Sequence, residues 1–420
     1  MVTEQQCPRC DAVVPYDIAY PMWCDRCDWN VQAEADEPAA GLFDRMYAHL
    51  GQRSGQALFD EIVQGKRTAT AMVTLLLARL CALVVHAVTL LFVLLGLLLV
   101  VQGNIITIVL GLLCWGIAWL VRPRLGRMPS VVLSSNEFPT LHKIADGVST
   151  ALGAVDVDVI AVDTHFNASF SRVGLGGSSV LTLGVPLLWI LDPQETVALM
   201  AHEVAHDVNG DPRCGFLIGS AVRSLMAWYE LLQPSPVSHR RRSSYRRGSA
   251  ELVEMVAEVL GFFLTGTAGT LAWILTHLLY RDSQRAEFYA GALAADIAGS
   301  TAMLSLLDKL HLHRMCEGAV LRVANEGGTR SILGELERRV AAMPAREMER
   351  LKRVDKLQGT RLDATHPPTI QRATYIAGRP KPIRLSLDPW VAEELRAELA
   401  RLEPSVQQVL LEKHHRGLYY

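Results

Sequence analysis

The apolar positions of this chain come in distinct textures, and each predicts a different kind of element. From Leu80 to Val101 the sequence is almost unbroken Leu, Val and Ala, polar only at His86 and Thr89. About twenty apolar residues suffice to cross a hydrocarbon core, so this run reads as a membrane span, with His86 a buried polar contact inside a bundle. The polar turn Gln102-Gly103-Asn104 leads into a second, shorter run, Ile105 to Val121, with Trp115 and Trp119 near its end, where interfacial anchors lie. Residues 71–121 are thus expected to form a transmembrane helical hairpin. Between 155 and 184 the texture changes. Val157 to Val162 alternates and is β-branched, and Asn167 to Phe170 and Ser179 to Leu183 are short extended stretches separated by Gly174-Leu175-Gly176-Gly177. That pattern predicts a small sheet. The glycines mark a hairpin turn, since neither the lysine nor the helix of a phosphate loop follows.

Helical spacing governs most of the remainder. Asp192, Pro193 and Glu195 stand at the N-cap, first and third positions of a helix that runs to Asn209-Gly210. In the linker 31–70, Leu42, Phe43, Met46 and Leu50, then Leu58, Ile62 and Val63, lie at helical intervals and predict short amphipathic helices on neighbouring surfaces or the membrane face. From Leu304 onward Leu, Arg and Glu recur with helical period, ending in a helix from Trp390 to His415. Charges such as Glu335, Glu337, Arg338 and Arg339 read as solvated faces of a scaffold.

Charge then orients the hairpin. The net charge of −2 over 420 residues gives no global sign of a nucleic-acid partner. A hydrophobic share of 50 % suits a membrane protein. The polar N-terminus does not resemble a secretory signal peptide. Lys66, Arg67 and Arg79 precede the first run and Arg122, Arg124 and Arg127 follow the second, while the turn between them has no basic residue. The positive-inside rule therefore places both flanks in the cytoplasm. Two more apolar stretches, Phe216 to Leu232 and Met255 to Tyr280, flank a basic loop containing His239 to Arg242, Arg246 and Arg247. Crossing twice here would export that loop, and Arg223, Glu230 and Glu258 are costly in lipid. The expected arrangement is a helical hairpin that packs on the catalytic domain or dips into the cytoplasmic leaflet, with a lipid-facing basic loop.

Two sets of residues carry metal-binding chemistry. Cys7 and Cys10 stand two residues apart, as do Cys24 and Cys27 thirteen residues later; two such knuckles are the pattern of a zinc ribbon, residues 1–30, with one structural Zn2+. A unit that small draws much of its folding energy from the metal. Such a ribbon could have a protein partner. Cys81, Cys114, Cys214 and Cys316 are scattered and read as small hydrophobes. The second set is His202-Glu203-Val204-Ala205-His206, in the middle of the capped helix. Residues four apart share a helix face, so His202 and His206 can hold one ion while Glu203, on the adjacent edge, reaches a water. This is the set zinc hydrolysis requires: neutral ligands, a base and an open position. The candidate third ligand is Glu287, in Arg281 to Ala290.

Three segments resemble the HtpX-like membrane metallopeptidases, relatives of the CAAX prenyl endopeptidases. His202 to Asp211 is similar to that family's zinc helix, Arg285-Ala286-Glu287-Phe288-Tyr289-Ala290 to the segment bearing its glutamate ligand, and Thr365-His366-Pro367-Pro368 with Arg372 to its C-terminal motif. Asn167-Ala168 is similar to the strand bordering the substrate cleft. The resemblance spans roughly residues 130 to 375. It implies a catalytic Zn2+ on His202, His206 and Glu287, with Glu203 as base. His366 and Arg372 would approach the active site, stabilising the developing oxyanion or ordering Glu287, and substrate would lie along Asn167, Ala168, Ser169 and Phe170. It also implies quality control of damaged or misassembled membrane proteins. In one place the chain departs from the family: an aspartate that supports a zinc histidine is here Gly291, and Asp207, Asp211 and Asp296 are the residues that could take its place.

The fold class expected is mostly α with a small β-sheet, an α+β gluzincin-type peptidase domain at 130–375. Ahead of it stand the ribbon, the 31–70 linker and the membrane hairpin; a helical extension, 376–420, follows. The protein would be a multi-pass protein of the cytoplasmic membrane, with lipid and polypeptide substrates as partners. The alternative is a catalytically impaired adaptor; a CAAX-type endopeptidase would carry many more spans.

Overall fold

Apolar runs and capped segments alike become helices, so the chain is mostly helical with two small sheets. The computed structural model describes residues 2–32, 51, 55–65, 70–174, 176–209, 216–232, 249–358 and 366–419. Readings that rest on Leu42, Phe43, Met46, Leu50, Gly210, Asp211, Cys214, the basic loop 239–247 and Thr365 lie outside these residues.

At the N-terminus β1 (Val2–Gln6) and β2 (Val13–Asp17) form an antiparallel hairpin. Asp11, Asp28 and Asn30 take left-handed backbone, with φ of 57°, 53° and 57°. Their short polar side chains tolerate that region and let the chain double back beside each cysteine knuckle. Helix α1, residues 55–63, follows. Leu58 and Ile62 are buried in the main core, and the Phe59 ring lies 5.7 Å from that of Phe288. This linker helix therefore belongs to the peptidase core and is not a surface strap, although Val63 stays exposed.

Helix α2 (Thr70–Val101) starts ten residues before the uninterrupted apolar run. An 18-residue stretch within it has a mean hydropathy of 2.9 with 11 % buried, and the whole apolar segment, Val73–Val101, is 29 residues long. At 1.5 Å per residue that is about 43 Å, more than a hydrocarbon core requires. Helix α3 (Ile105–Leu120) has 16 residues, roughly 24 Å, and falls short. Among the described residues α2 alone is long and apolar enough to cross a membrane; the expectation of two full spans does not hold by length. The two helices nevertheless pair closely. A Cβ on Gly96 would stand 2.4 Å from the Trp115 ring, and one on Gly111 2.7 Å from the Gly96 carbonyl.

Helix α7 (Phe216–Leu232) and α8 (Ser249–Ala298) complete this bundle. Ala78, Ala82 and Val85 of α2 pack with Ala221 and Leu225 of α7 and Ala272, Leu275 and Leu279 of α8. His86 Nε2 lies 3.1 Å from Ser220 Oγ and 3.2 Å from the Leu217 carbonyl, an interhelical contact. Of the two expected arrangements, packing on the catalytic domain is corrected for these residues: α7 and the middle of α8, at Ala272, Leu275 and Leu279, pack on the apolar helix α2. Nor does α8 end at Tyr280. It runs for 50 residues, about 75 Å, and carries the Glu287 segment on the same rod.

The second sheet has the order β3-β4-β6-β5, formed by β3 (Val132–Leu133), β4 (Val159–Asp163), β5 (Ala168–Val173) and β6 (Ser178–Gly184). β4 is parallel to β6 and β5 antiparallel to it, so β5 is an edge strand. Gly174 and Gly177, with φ of +69° and +67°, make the β5–β6 turn. Around the sheet stand α4 (Pro139–Leu152), α5 (Val185–Ile190), α6 (Pro193–Val208) and α9 (Ser300–Leu310). Next come α10 (His313–Asn325), α11 (Ile332–Ala341), α12 (Ala345–Gln358) and α13 (Thr369–Ala377). The last helix, α14 (Pro389–Tyr419), returns to the start of the domain. Its buried Glu398 accepts from the Thr140 and Leu141 amides at 2.7 and 3.0 Å, capping α4 from 257 residues away. Leu395, Leu399, Leu402 and Val406 enter the same core, so α14 is packed into the peptidase.

Candidate active site

The site grows from the first turn of α6. Glu195 Oε2 accepts from the Asp192 amide at 2.7 Å, the reciprocal half of a capping box. The carboxylate is buried and is also held by Lys309 Nζ at 2.6 Å and by Ser305. With its start so anchored, α6 buries every residue from Glu195 to His206. That burial takes His202, Glu203 and His206 out of water, and α8, packed across α6, adds Glu287.

Glu287 Oε2 lies 3.4 Å from His202 Nε2, and Glu287 Oε1 3.5 Å from His206 Nε2. These separations are too long for good hydrogen bonds. They match the roughly 3.4 Å edge of a tetrahedron whose centre is 2.0–2.1 Å from each donor, the geometry of zinc on imidazole and carboxylate. Glu287 Oε2 and His202 Nδ1 are buried with no hydrogen-bond partner among the described residues. A carboxylate oxygen buried and unsatisfied between two imidazoles is costly, and a cation there removes the cost, so the donor set fits a metal. Burial, then the charge of Arg372, pushes His202 down to about 3, which keeps the imidazole neutral as a ligand must be. Burial alone would raise Glu287, but His366, His202 and Arg372 hold it well below the usual carboxylate range. Glu203 is shifted the other way: burial pushes it up despite His206, the direction that suits a proton carrier near neutrality.

Two further groups approach from the start of α13. His366 Nδ1 lies 2.7 Å from Glu287 Oε1. Arg372 Nη2 donates to His202 Nε2 at 3.1 Å and stands 3.7 Å from Glu287 Oε2, while its buried Nε has no partner among the described residues. These groups open onto a cleft of about 620 Å³ lined by His202, Glu203, His366, Arg372 and Asn167.

The four ribbon thiols form a second set. Cys7 and Cys27 Sγ are 3.7 Å apart, and Cys10 and Cys24 Sγ 3.6 Å, close to the roughly 3.8 Å edge that a 2.3 Å zinc–sulfur bond dictates. The Arg9 amide donates to Cys7 Sγ at 3.4 Å. This cluster fits a metal as well.

With this geometry in hand, comparison with known proteins is decisive. Residues 136–379 match the profile of peptidase family M48, more than half of the chain. The chain belongs to peptidase family M48. A protease HtpX homolog of Pyrobaculum calidifontis is 26 % identical over 247 residues, covering 57 % of this chain and 67 % of the relative. One from Neisseria gonorrhoeae strain FA 1090 is 29 % identical over 142 residues, 34 % of this chain and 47 % of the relative. Protease HtpX of Pasteurella multocida is 28 % identical over 175 residues, 40 % and 58 % of the two chains. No solved structure matches the chain. The protein is therefore an HtpX-like protease of this family.

Within this M48 site the strand residues are divided. Asn167 lines the cleft, Ser169 is exposed, Phe170 is half-buried, and Ala168 points into the core. The cleft wall lies earlier than expected, at Thr164, His165 and Phe166, with His165 Nδ1 held by Asp163 Oδ2 at 2.8 Å. Leu306, Leu310, Cys316 and Val320 of α9 and α10 form part of the cleft, as does Leu410 of α14. The reading of the periodic helices after Leu304, outside the His366 motif, as scaffold is thus corrected. Leu306 and Leu310 are four apart, a helical interval that looks the same whether it faces a core or a cleft. Two of the three aspartates considered as substitutes at Gly291, Asp207 and Asp296, are otherwise engaged. Asp207 takes a two-pronged grip from Arg172 of the edge strand, at 2.9 and 2.8 Å. Asp296 is bound by Arg384 and Lys381.

Proposed function

We propose that this protease is a zinc-dependent endopeptidase anchored in the cytoplasmic membrane, with ribbon and peptidase facing the cytoplasm. One observation carries the zinc assignment: the buried His202 and His206 Nε2 atoms lie 3.4 and 3.5 Å from Glu287 Oε2 and Oε1, and that Oε2 has no hydrogen-bond partner among the described residues. Zinc on His202, His206 and Glu287 would supply Lewis acidity and lower the pKa of a water. Glu203, at the cleft wall, takes the proton of the attacking water and delivers it to the leaving amine. Arg372 and His366 bring donors to the side where the oxyanion develops. Substrate lies extended beside Asn167 and the β5 edge, where backbone pairing gives affinity with little sequence choice.

Membrane anchoring is supported by the length, hydropathy and exposed apolar surface of α2, and the cytoplasmic orientation by the basic flanks Lys66 to Arg79 and Arg122 to Arg127. Because α8 runs from the apolar bundle into the site, the peptidase sits beside the bilayer. Damaged or misassembled membrane proteins are the substrate class this favours. A second zinc on Cys7, Cys10, Cys24 and Cys27 would be structural.

The competing reading is an adaptor with an impaired peptidase, favoured by His202 Nδ1, which among the described residues has no hydrogen-bond partner of the kind that normally supports a zinc-bound histidine. Casein cleavage by the detergent-purified protein, compared with Glu203→Gln, separates them. The peptidase reading expects a fall of about 10²–10⁴-fold in the variant with zinc content unchanged. Equal, negligible turnover by two zinc-loaded proteins would leave the adaptor.

A further inference from the structure

The cysteine ribbon is the motif that peptide hydrolysis does not use, yet its seat on the peptidase is specific. Three arginines spaced along one face of α12 hold it. Arg346 Nη2 donates to the Trp23 carbonyl at 2.7 Å, and Arg350 Nη1 to the Val31 carbonyl at 2.8 Å. Arg353 Nη1 donates to the Asp25 carbonyl at 2.8 Å and to Asp28 Oδ1 at 2.6 Å. The buried Trp23 indole carries the guanidinium groups of Arg346 and Arg353 at 4.5 and 5.0 Å from its ring centre. Arg350 is 4 % exposed and neutralised by Glu347, with their closest atoms 2.7 Å apart. Stripping a carbonyl from a buried guanidinium leaves a donor unsatisfied, so ribbon and helix are seated together.

The same helix reaches the active site at its other end. Asp355 Oδ2 accepts from the Ile370 amide at 3.0 Å, in the first turn of α13. Two residues on, Arg372 touches His202 and stands near Glu287, and His366 lies just before the helix. One run of contacts therefore joins Trp23 to α12, Asp355, α13 and Arg372.

We propose that the ribbon is an intramolecular brace: its metal-held fold seats α12, and α12 holds α13 so that Arg372 and His366 stay aimed at the catalytic centre. Trp23, Arg353 and Asp355 are then positioning residues for the peptidase, and the ribbon's partner is its own chain. The role in turnover rests on the peptidase reading; the mechanical link does not. With an internal cluster built on Cys7, Val14 and Cys24, and with Trp23 turned to α12, the ribbon depends on its metal for shape, and loss of that metal would dissolve the seat of Trp23.

The test uses the full chain in detergent. Cys24→Ser removes the ribbon's metal site, Trp23→Ala removes the seat while leaving the thiols, and Trp23→Phe restores an aromatic ring. Zinc per chain, amide hydrogen exchange across 369–377, and kcat and KM on a casein-derived fluorogenic peptide are measured. Zinc should fall from two to one in Cys24→Ser and stay at two in Trp23→Ala, one ion for each cluster. Both variants should exchange the 369–377 amides about tenfold faster and lose about tenfold in kcat, with KM within about twofold and Trp23→Phe close to wild type. Unchanged exchange across 369–377 in both variants overturns the brace, whatever the activity, and would return the ribbon to recruiting a separate protein. Absence of Glu203-dependent turnover in the wild type sinks the peptidase reading alone, since exchange still decides the coupling.

Discussion

Glu195 shows how far one side chain can serve the catalytic helix without touching the chemistry. Its carboxylate caps the helix start, receives Lys309 and Ser305, and is almost wholly buried. Removing it takes the acceptor from the Asp192 amide and the Ser305 hydroxyl and leaves the Lys309 ammonium with the Ile190 carbonyl and the Asp192 carboxylate. Losing one partner of a buried pair costs about 3–5 kcal/mol, and Lys309, at 19 % side-chain exposure, recovers part of that in water. Glu195→Ala should therefore lower stability by about 2–3 kcal/mol, read as a fall in the thermal midpoint. Glu195→Gln, which keeps an acceptor, should lose less. Equal losses in the two variants would show that the capping bond contributes nothing separable.

At the scale of elements, two ties determine whether the site is presented to substrate. The Arg172–Asp207 grip fastens the edge strand to the zinc helix. Arg172→Ala should raise KM for a polypeptide several-fold with kcat and zinc little changed, because it loosens the β5 edge and leaves the metal donors alone. A drop in zinc content would show instead that Asp207 orients the helix. The second tie is α1. Glu61 accepts from Arg281 at 2.9 Å and from Arg285 at 2.8 Å, so the linker helix is clamped to α8 just ahead of Glu287. Burial alone would raise Glu61, but the two arginines hold its pKa below the usual carboxylate range. Stability from a depressed carboxylate is present above its unfolded pKa of about 4.3 and is lost as pH falls through the lower folded value. Wild type should thus melt higher than Glu61→Gln at neutral pH, and the gap should close under acid conditions. A gap that persists below that range would mean that packing, not charge, holds α1.

For the whole molecule, the first question is where the bilayer ends. Leu90 and Leu91 of α2 are exposed apolar residues, 57 % and 61 % accessible. Arginine at both positions should cost several kcal/mol of insertion and move the chain out of the carbonate-resistant membrane fraction. The same change at Val63, exposed on the linker helix, should leave fractionation unaltered. Retention of the double variant in the membrane would mean that α2 is covered by protein, not lipid. Much of this layout was already legible in the chain. Spacing of four on one helix face, an N-cap three residues before a glutamate, two cysteine knuckles and an unbroken apolar run are local patterns, and local patterns survive without tertiary knowledge. Glu287 could be nominated but not located by spacing, because its partners His202, His206 and His366 lie far away along the chain. Tertiary packing decided the rest. It made Met255 to Ala298 part of one rod, gave Leu306, Leu310 and Val320 to the cleft, sent Glu398 back to cap α4, and seated the ribbon on α12. A helix period records which face is buried but not what buries it, and that identity is settled only when the elements meet.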